Sequence, residues 1–121
     1  MRTLNRLTCT FACAVVCLGS AAALGGDGLT ITIHNDSGDN LLVTVDDQST
    51  QPPQRLLVSR EIYGNASITV SMAPGAAGRG HVSWRAVSAD PTMRKCGHHD
   101  EHHLSDGDIV NVHADEDCAA R

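Results

Sequence analysis

Residues 29–34 read LTITIH and alternate strictly between apolar and polar side chains. A period of two and a high content of β-branched residues are typical of a strand with one buried face. Leu29, Ile31 and Ile33 therefore face a predicted core. Similar strand patterns recur at residues 41–46, 54–60, 66–72, 80–88 and 109–113, of which 54–60 is the least regular.

Turn-forming residues separate these segments. The run NDSGDN at residues 35–40 predicts a reverse turn and a hairpin between the first two strands. No window of about 11 residues after the N-terminal segment shows a convincing helical repeat. Six short strands joined by turns predict an all-β fold, a small antiparallel β-sandwich of six to eight strands.

The first 23 residues have the features of an export signal. Arg2 and Arg6 form a basic n-region, residues 7–18 form an apolar h-region, and a run of small residues ends at Ala23. Neither the h-region nor any later stretch reaches the roughly 20 apolar residues that span a bilayer. We expect cleavage near Ala23, a single domain at residues 24–121, no membrane span, and a periplasmic or extracellular location.

Two of the five cysteines, Cys96 and Cys118, lie outside the predicted signal. An even number of cysteines in an oxidising compartment predicts one disulfide, which would staple the fold near its C-terminus. Closing a loop of about 22 residues stabilises by roughly 3 kcal/mol in the chain-entropy model. A true immunoglobulin domain is excluded, because Trp84 precedes both cysteines instead of lying between them.

The chain beyond the signal is acidic. Arg2 and Arg6 account for two of the nine basic residues, so seven basic residues remain against 14 acidic ones, a net charge of −7. Seven of those acids follow Cys96, where Arg121 is the only basic residue. Such a surface repels phosphate groups and attracts cations. We therefore expect no nucleic-acid partner.

Four of the seven histidines lie in the run HHDEHH at residues 98–103. Neutral imidazoles are good ligands for zinc and copper. In a helical turn, residues four apart would share one metal ion, whereas in an extended strand alternate residues would line one side. The alternative is an exposed polar loop that is solvated and has no function.

A metal site is the most specific hypothesis that the sequence supports. Imidazole coordinates only when neutral, so affinity should fall as the pH drops through about 6.5. His34, His81 and His113 each lie on the polar face of a strand and would form a second cluster only if those strands are neighbours. The candidate ligands for Cu²⁺ or Zn²⁺ are His98, His99, His102 and His103, helped by His113, with oxygen ligands available from Asp100, Glu101, Asp106, Asp108 or Asp115.

No catalytic motif is present in the sequence. It contains no GxSxG elbow, P-loop or HExxH motif, and the predicted disulfide leaves no free thiolate outside the predicted signal. We therefore predict that the protein is not an enzyme. The first functional hypothesis is an exported, noncatalytic interaction module that binds an unidentified protein or glycan. The alternative is a periplasmic or secreted metal-binding protein that uses the histidine run.

Overall fold

The computed structural model describes residues 28–118, and strands account for most of them. No helix in this range is long and apolar enough to cross a membrane. Ala76–Gly78 forms a short 3-10 turn. The predicted export signal and its cleavage site lie outside the described residues. The strands are β1 Leu29–Asn35, β2 Leu41–Asp47, β3 Gln54–Ile62, β4 Ser67–Met72, β5 Gly80–Ser88, β6 Lys95–Leu104, β7 Ile109–Val112 and β8 Glu116–Asp117.

The strands form two sheets. One has the order β4-β1-β7 and the other the order β3-β2-β5-β6-β8. Between the sheets, β3 contacts β4, and both β5 and β6 contact β7. All pairs are antiparallel except β1 with β7, which is parallel. The predicted all-β sandwich is therefore confirmed, with eight strands and one parallel pair that the sequence pattern did not indicate.

The core lies between the sheets and is built from alternate residues of each strand. Ile31 and Ile33 of β1 and Val43 and Val45 of β2 are completely buried. Trp84 of β5 is 1% exposed and is the largest side chain in this core. Burial of an aromatic side chain of this size contributes strongly to the hydrophobic stabilisation of a small domain. The predicted inner faces of these strands are confirmed.

The predicted hairpin between the first two strands is wrong. β1 and β2 lie in different sheets, and residues 36–40 carry the chain from one sheet to the other. Asn35 anchors this crossing, because its buried side-chain amide donates hydrogen bonds to the carbonyl oxygens of Asp39, Ile62 and Tyr63. Alternation shows that a strand has one buried face, but it does not show whether the next strand lies beside it or opposite it.

The predicted disulfide is confirmed. Cys96 and Cys118 are bonded, with their Cα atoms 5.1 Å apart. Cys96 lies in β6, and Cys118 directly follows β8, which pairs with the first residues of β6. The bond therefore holds the C-terminal segment against β6. Both of these strands were missing from the sequence prediction, because β6 is polar on both faces and β8 has only two residues.

Candidate metal site

The histidine run forms the middle of β6, at an edge of the five-stranded sheet. β8 pairs only with Lys95 and Cys96, so within the described chain residues 97–104 pair with β5 alone. The run is therefore extended, as in the second of the two predicted arrangements, and not helical. Because successive side chains of a strand point to opposite faces, the run divides into two sets.

The register with β5 assigns each histidine to a face. Residues that lie opposite each other on antiparallel strands share a face. His99 lies opposite the buried Trp84, so it belongs to the core side of the sheet. His98 lies opposite the exposed Arg85, and it shares the outer face with Asp100.

A β-bulge interrupts the ladder at the end of the run. The register shifts between Gly80 and Val82, so β6 places two residues, His102 and His103, opposite the single His81 of β5. His103 has a φ angle of 60°, in the left-handed region that few residues other than glycine adopt. A bulge bends its strand and redirects the neighbouring side chains. Here it brings His102 against His81.

Two histidines and an aspartate meet beside this bulge. One ligand atom from each of His81, Asp100 and His102 lies within 4.8 Å of the other two. The rings of His81 and His102 stack, with their centroids 3.9 Å apart and their planes inclined by 26°. Nε2 of His81 is buried and has no hydrogen-bond partner among residues 28–118. Buried polar atoms usually have a hydrogen-bond partner, so this nitrogen is an exception, and a bound ion would explain it.

This ligand set suits a divalent transition metal. Two imidazole nitrogens and a carboxylate oxygen are common ligands of Zn²⁺ and are also accepted by Cu²⁺. Metal–nitrogen bonds of about 2.0–2.1 Å place two nitrogens on a tetrahedral ion roughly 3.3 Å apart. Stacked rings cannot both direct a lone pair at one ion, so binding requires one ring to turn. His102 is exposed and can turn more easily than the half-buried His81. Three protein ligands leave one coordination position for another molecule.

A different polar group lies on the core side of β6. Nε1 of Trp84 donates to Oε2 of Glu101 at 3.4 Å, and Nε2 of His99 lies 4.0 Å from the same oxygen. The ring of His113 meets that of Trp84 edge-on, with centroids 5.5 Å apart, and its Nδ1 lies 3.4 Å from Asp115. These side chains cover the rim of the core and are separate from the cluster on the outer face.

The structure thus places the five predicted ligands at different positions, and only one of them lies in the cluster. His102 belongs to the cluster, and His103 lines a pocket beside it. His98 lies on the outer face but outside the cluster. His99 and His113 lie on the core side, around the tryptophan.

His81 is the cluster member that the predicted ligand set did not include. Its position on the polar face of β5 was evident from alternation, but its approach to the run depends on the pairing of β5 with β6. His34 lies in the other sheet, where Nδ1 hydrogen-bonds Oγ of Ser67 at 2.7 Å. The suggested group of His34, His81 and His113 therefore does not assemble. Asp106 and Asp108 each accept a hydrogen bond from a backbone amide, which makes them poorer candidates as oxygen ligands.

Searches against protein-family models, curated proteins and solved structures find no match for this chain. Function is therefore inferred from the geometry of the cluster.

Proposed function

We propose that this protein is an exported, noncatalytic metal-binding module that holds Cu²⁺ or Zn²⁺ at His81, Asp100 and His102. The observation that carries the proposal is the convergence of these three ligands, one of which, His81, has a buried Nε2 with no hydrogen-bond partner among the described residues. A buried polar atom left unsatisfied costs about 1–3 kcal/mol. Coordination through Nε2 of His81 would remove that cost, so the metal-bound form gains stability that the metal-free fold lacks.

The surroundings of the cluster favour a cation. From Cys96 onward the chain carries seven acidic residues and only Arg121 as a basic one. This excess of negative charge raises the local concentration of cations. The disulfide and the pairing with β5 hold β6 in place. Less conformational entropy is therefore lost when an ion binds than in an unstructured peptide of the same residues.

The ligand types favour copper over zinc in affinity. Divalent copper binds nitrogen and oxygen ligands more tightly than zinc in the Irving–Williams order. The cluster contains no sulfur ligand, and an oxidising compartment disfavours monovalent copper. We expect Cu²⁺ to bind more tightly than Zn²⁺. The ion that occupies the site in the cell also depends on how available each metal is.

Export is part of the proposal. Its support is the signal-like segment at residues 1–23 together with a disulfide, which persists in oxidising compartments. N-terminal sequencing of protein recovered from the periplasm or the medium should give a chain that begins at Leu24. A recovered chain that still begins at Met1 would contradict this part of the proposal.

Isothermal titration of Cu²⁺ and Zn²⁺ tests the metal site. We expect one stoichiometric site, and we expect Asp100→Asn and His102→Ala each to weaken it by roughly tenfold or more. The matched control is His99→Ala, which removes a histidine from the opposite face of the same strand and should bind like the wild type. If His99→Ala and His102→Ala lost the same amount of metal affinity, the histidine run would bind metal without a defined site.

An interaction module is the second candidate, and the free edge of β6 favours it. Residues 97–104 have no strand on their outer side within the described chain. An extended peptide from a partner protein could pair with such an edge as an added strand. Hydrogen exchange with and without peptides selected on the protein would test this. Protection concentrated in β6 supports the candidate, and protection confined to other strands opposes it.

A further inference from the structure

A small pocket adjoins the cluster of His81, Asp100 and His102. It has a volume of about 200 Å³, and its lining includes His81, His102 and His103 together with Arg79 and Ser49. Two of the proposed metal ligands are thus part of its wall. An ion held by His81 and His102 would border the pocket, and its open coordination position would be accessible to a molecule in that space.

Arg79 gives this pocket a positive charge that forms no ion pair within the described part of the chain. Its Nη1 donates to the carbonyl oxygen of His103 at 3.2 Å, and the residue is exposed. None of the ion pairs formed within residues 28–118 involves Arg79. The remaining N–H groups of a guanidinium can bind two oxygens of one carboxylate or phosphate.

Ser49 supplies a further donor. Its Oγ accepts a hydrogen bond from the backbone amide of His81 at 3.1 Å. A hydroxyl that accepts in this way still has its own hydrogen to donate. The pocket therefore combines a guanidinium, a hydroxyl donor and the proposed metal ion, all of which attract oxygen atoms that carry negative charge.

We infer that the metal-loaded site binds a small oxyanion, either a phosphate or a carboxylate, between the metal ion and Arg79. This inference rests on the proposed metal function. The pocket is smaller than the roughly 300–1,000 Å³ that drug-sized ligands occupy, which restricts the ligand to a small ion or a terminal group. Because the chain is acidic overall, the protein without metal should bind such an anion poorly.

Calorimetric titration of inorganic phosphate tests the inference, with acetate titrated in a separate arm. Each anion is added to zinc-loaded protein from which unbound zinc has been removed, and to metal-free protein. The variant Arg79→Gln removes the guanidinium, and Arg60→Gln is the matched control, since it removes an exposed arginine from β3. We expect at least one anion to bind zinc-loaded wild type and Arg60→Gln roughly tenfold more tightly than either metal-free protein or zinc-loaded Arg79→Gln.

The outcomes separate this inference from the metal proposal. If zinc alone fails to bind the wild type, the metal proposal fails. If zinc binds the wild type and Arg79→Gln equally, but neither anion distinguishes them, only the oxyanion inference is overturned. Linkage gives a second check, because an anion that binds the loaded protein more tightly must raise the affinity for zinc by the same factor.

Discussion

Replacement of Asn35 by alanine should lower the free energy of unfolding by about 3 kcal/mol. Asn35 is 0% exposed, and its Nδ2 donates to three carbonyl oxygens at 2.7, 2.8 and 3.2 Å. Its Oδ1 accepts from the backbone amide and the hydroxyl of Ser37 at 3.0 and 2.7 Å. A net hydrogen bond contributes about 1 kcal/mol, and a buried group left unpaired costs about 1–3 kcal/mol. Nδ2 has only two hydrogens, so one of them is shared between two carbonyl oxygens. Loss of these bonds together with the two that Oδ1 accepts gives the expected figure.

Urea denaturation followed by the fluorescence of Trp84 provides the assay, since this buried residue is the only tryptophan in the chain. Asn35→Asp should be more damaging than Asn35→Ala, because a carboxylate would face the three carbonyl oxygens without a hydrogen to donate. Asn111→Ala, on the exposed face of β7, is the control and should change stability by less than about 0.5 kcal/mol. An Asn35→Ala variant as stable as this control would refute the assignment of Asn35 as the anchor of the crossing.

Gly97→Ala should destabilise the protein by about 1–3 kcal/mol, because the added Cβ would overlap the carbonyl oxygen of His113; an unchanged urea midpoint would contradict this packing. Reduction of the disulfide, which joins residues 22 positions apart, should lower the free energy of unfolding by roughly 3 kcal/mol. Equal stability with and without dithiothreitol would oppose that estimate. The hydroxyl and amide of Thr92 donate to the carboxylate of Asp90 and hold its pKa below the ordinary value. Thr92→Val should therefore raise the pKa of Asp90 in an NMR titration, and an unchanged or lower pKa would argue against this cause.

Much of the fold could be predicted because half-buried strands carry a periodic pattern. In β1, β2 and β5, the alternate residues on one face are apolar except near the strand ends, and the structure buries those faces as expected. The same pattern does not show which strands are neighbours in a sheet. It therefore could not show that β1 pairs with β4 and β7 and faces the other sheet. The turn after Asn35 has the composition of a hairpin turn, and only the buried contacts of that side chain show that it crosses between sheets.

The candidate site was less predictable, because it depends on a register. β6 has polar residues on both faces between Gly97 and Leu104, since it lies at a sheet edge with little core to cover. The composition of the run indicated a possible metal site, because it contains four histidines and two acidic residues. No periodicity indicated that the run forms a strand. The approach of His81 to His102 follows from one extra residue in a bulge. Residues far apart in sequence give no local signal of such a contact.

The most direct test of the metal proposal is a crystal structure of the zinc-loaded protein, with data collected on both sides of the zinc absorption edge. Anomalous scattering would locate the ion without reference to the protein coordinates. We expect a single peak about 2.0–2.2 Å from a nitrogen of His81, a nitrogen of His102 and an oxygen of Asp100. A peak held instead by His98, His99 or His113, or no ordered peak in crystals at saturating zinc, would contradict the proposal.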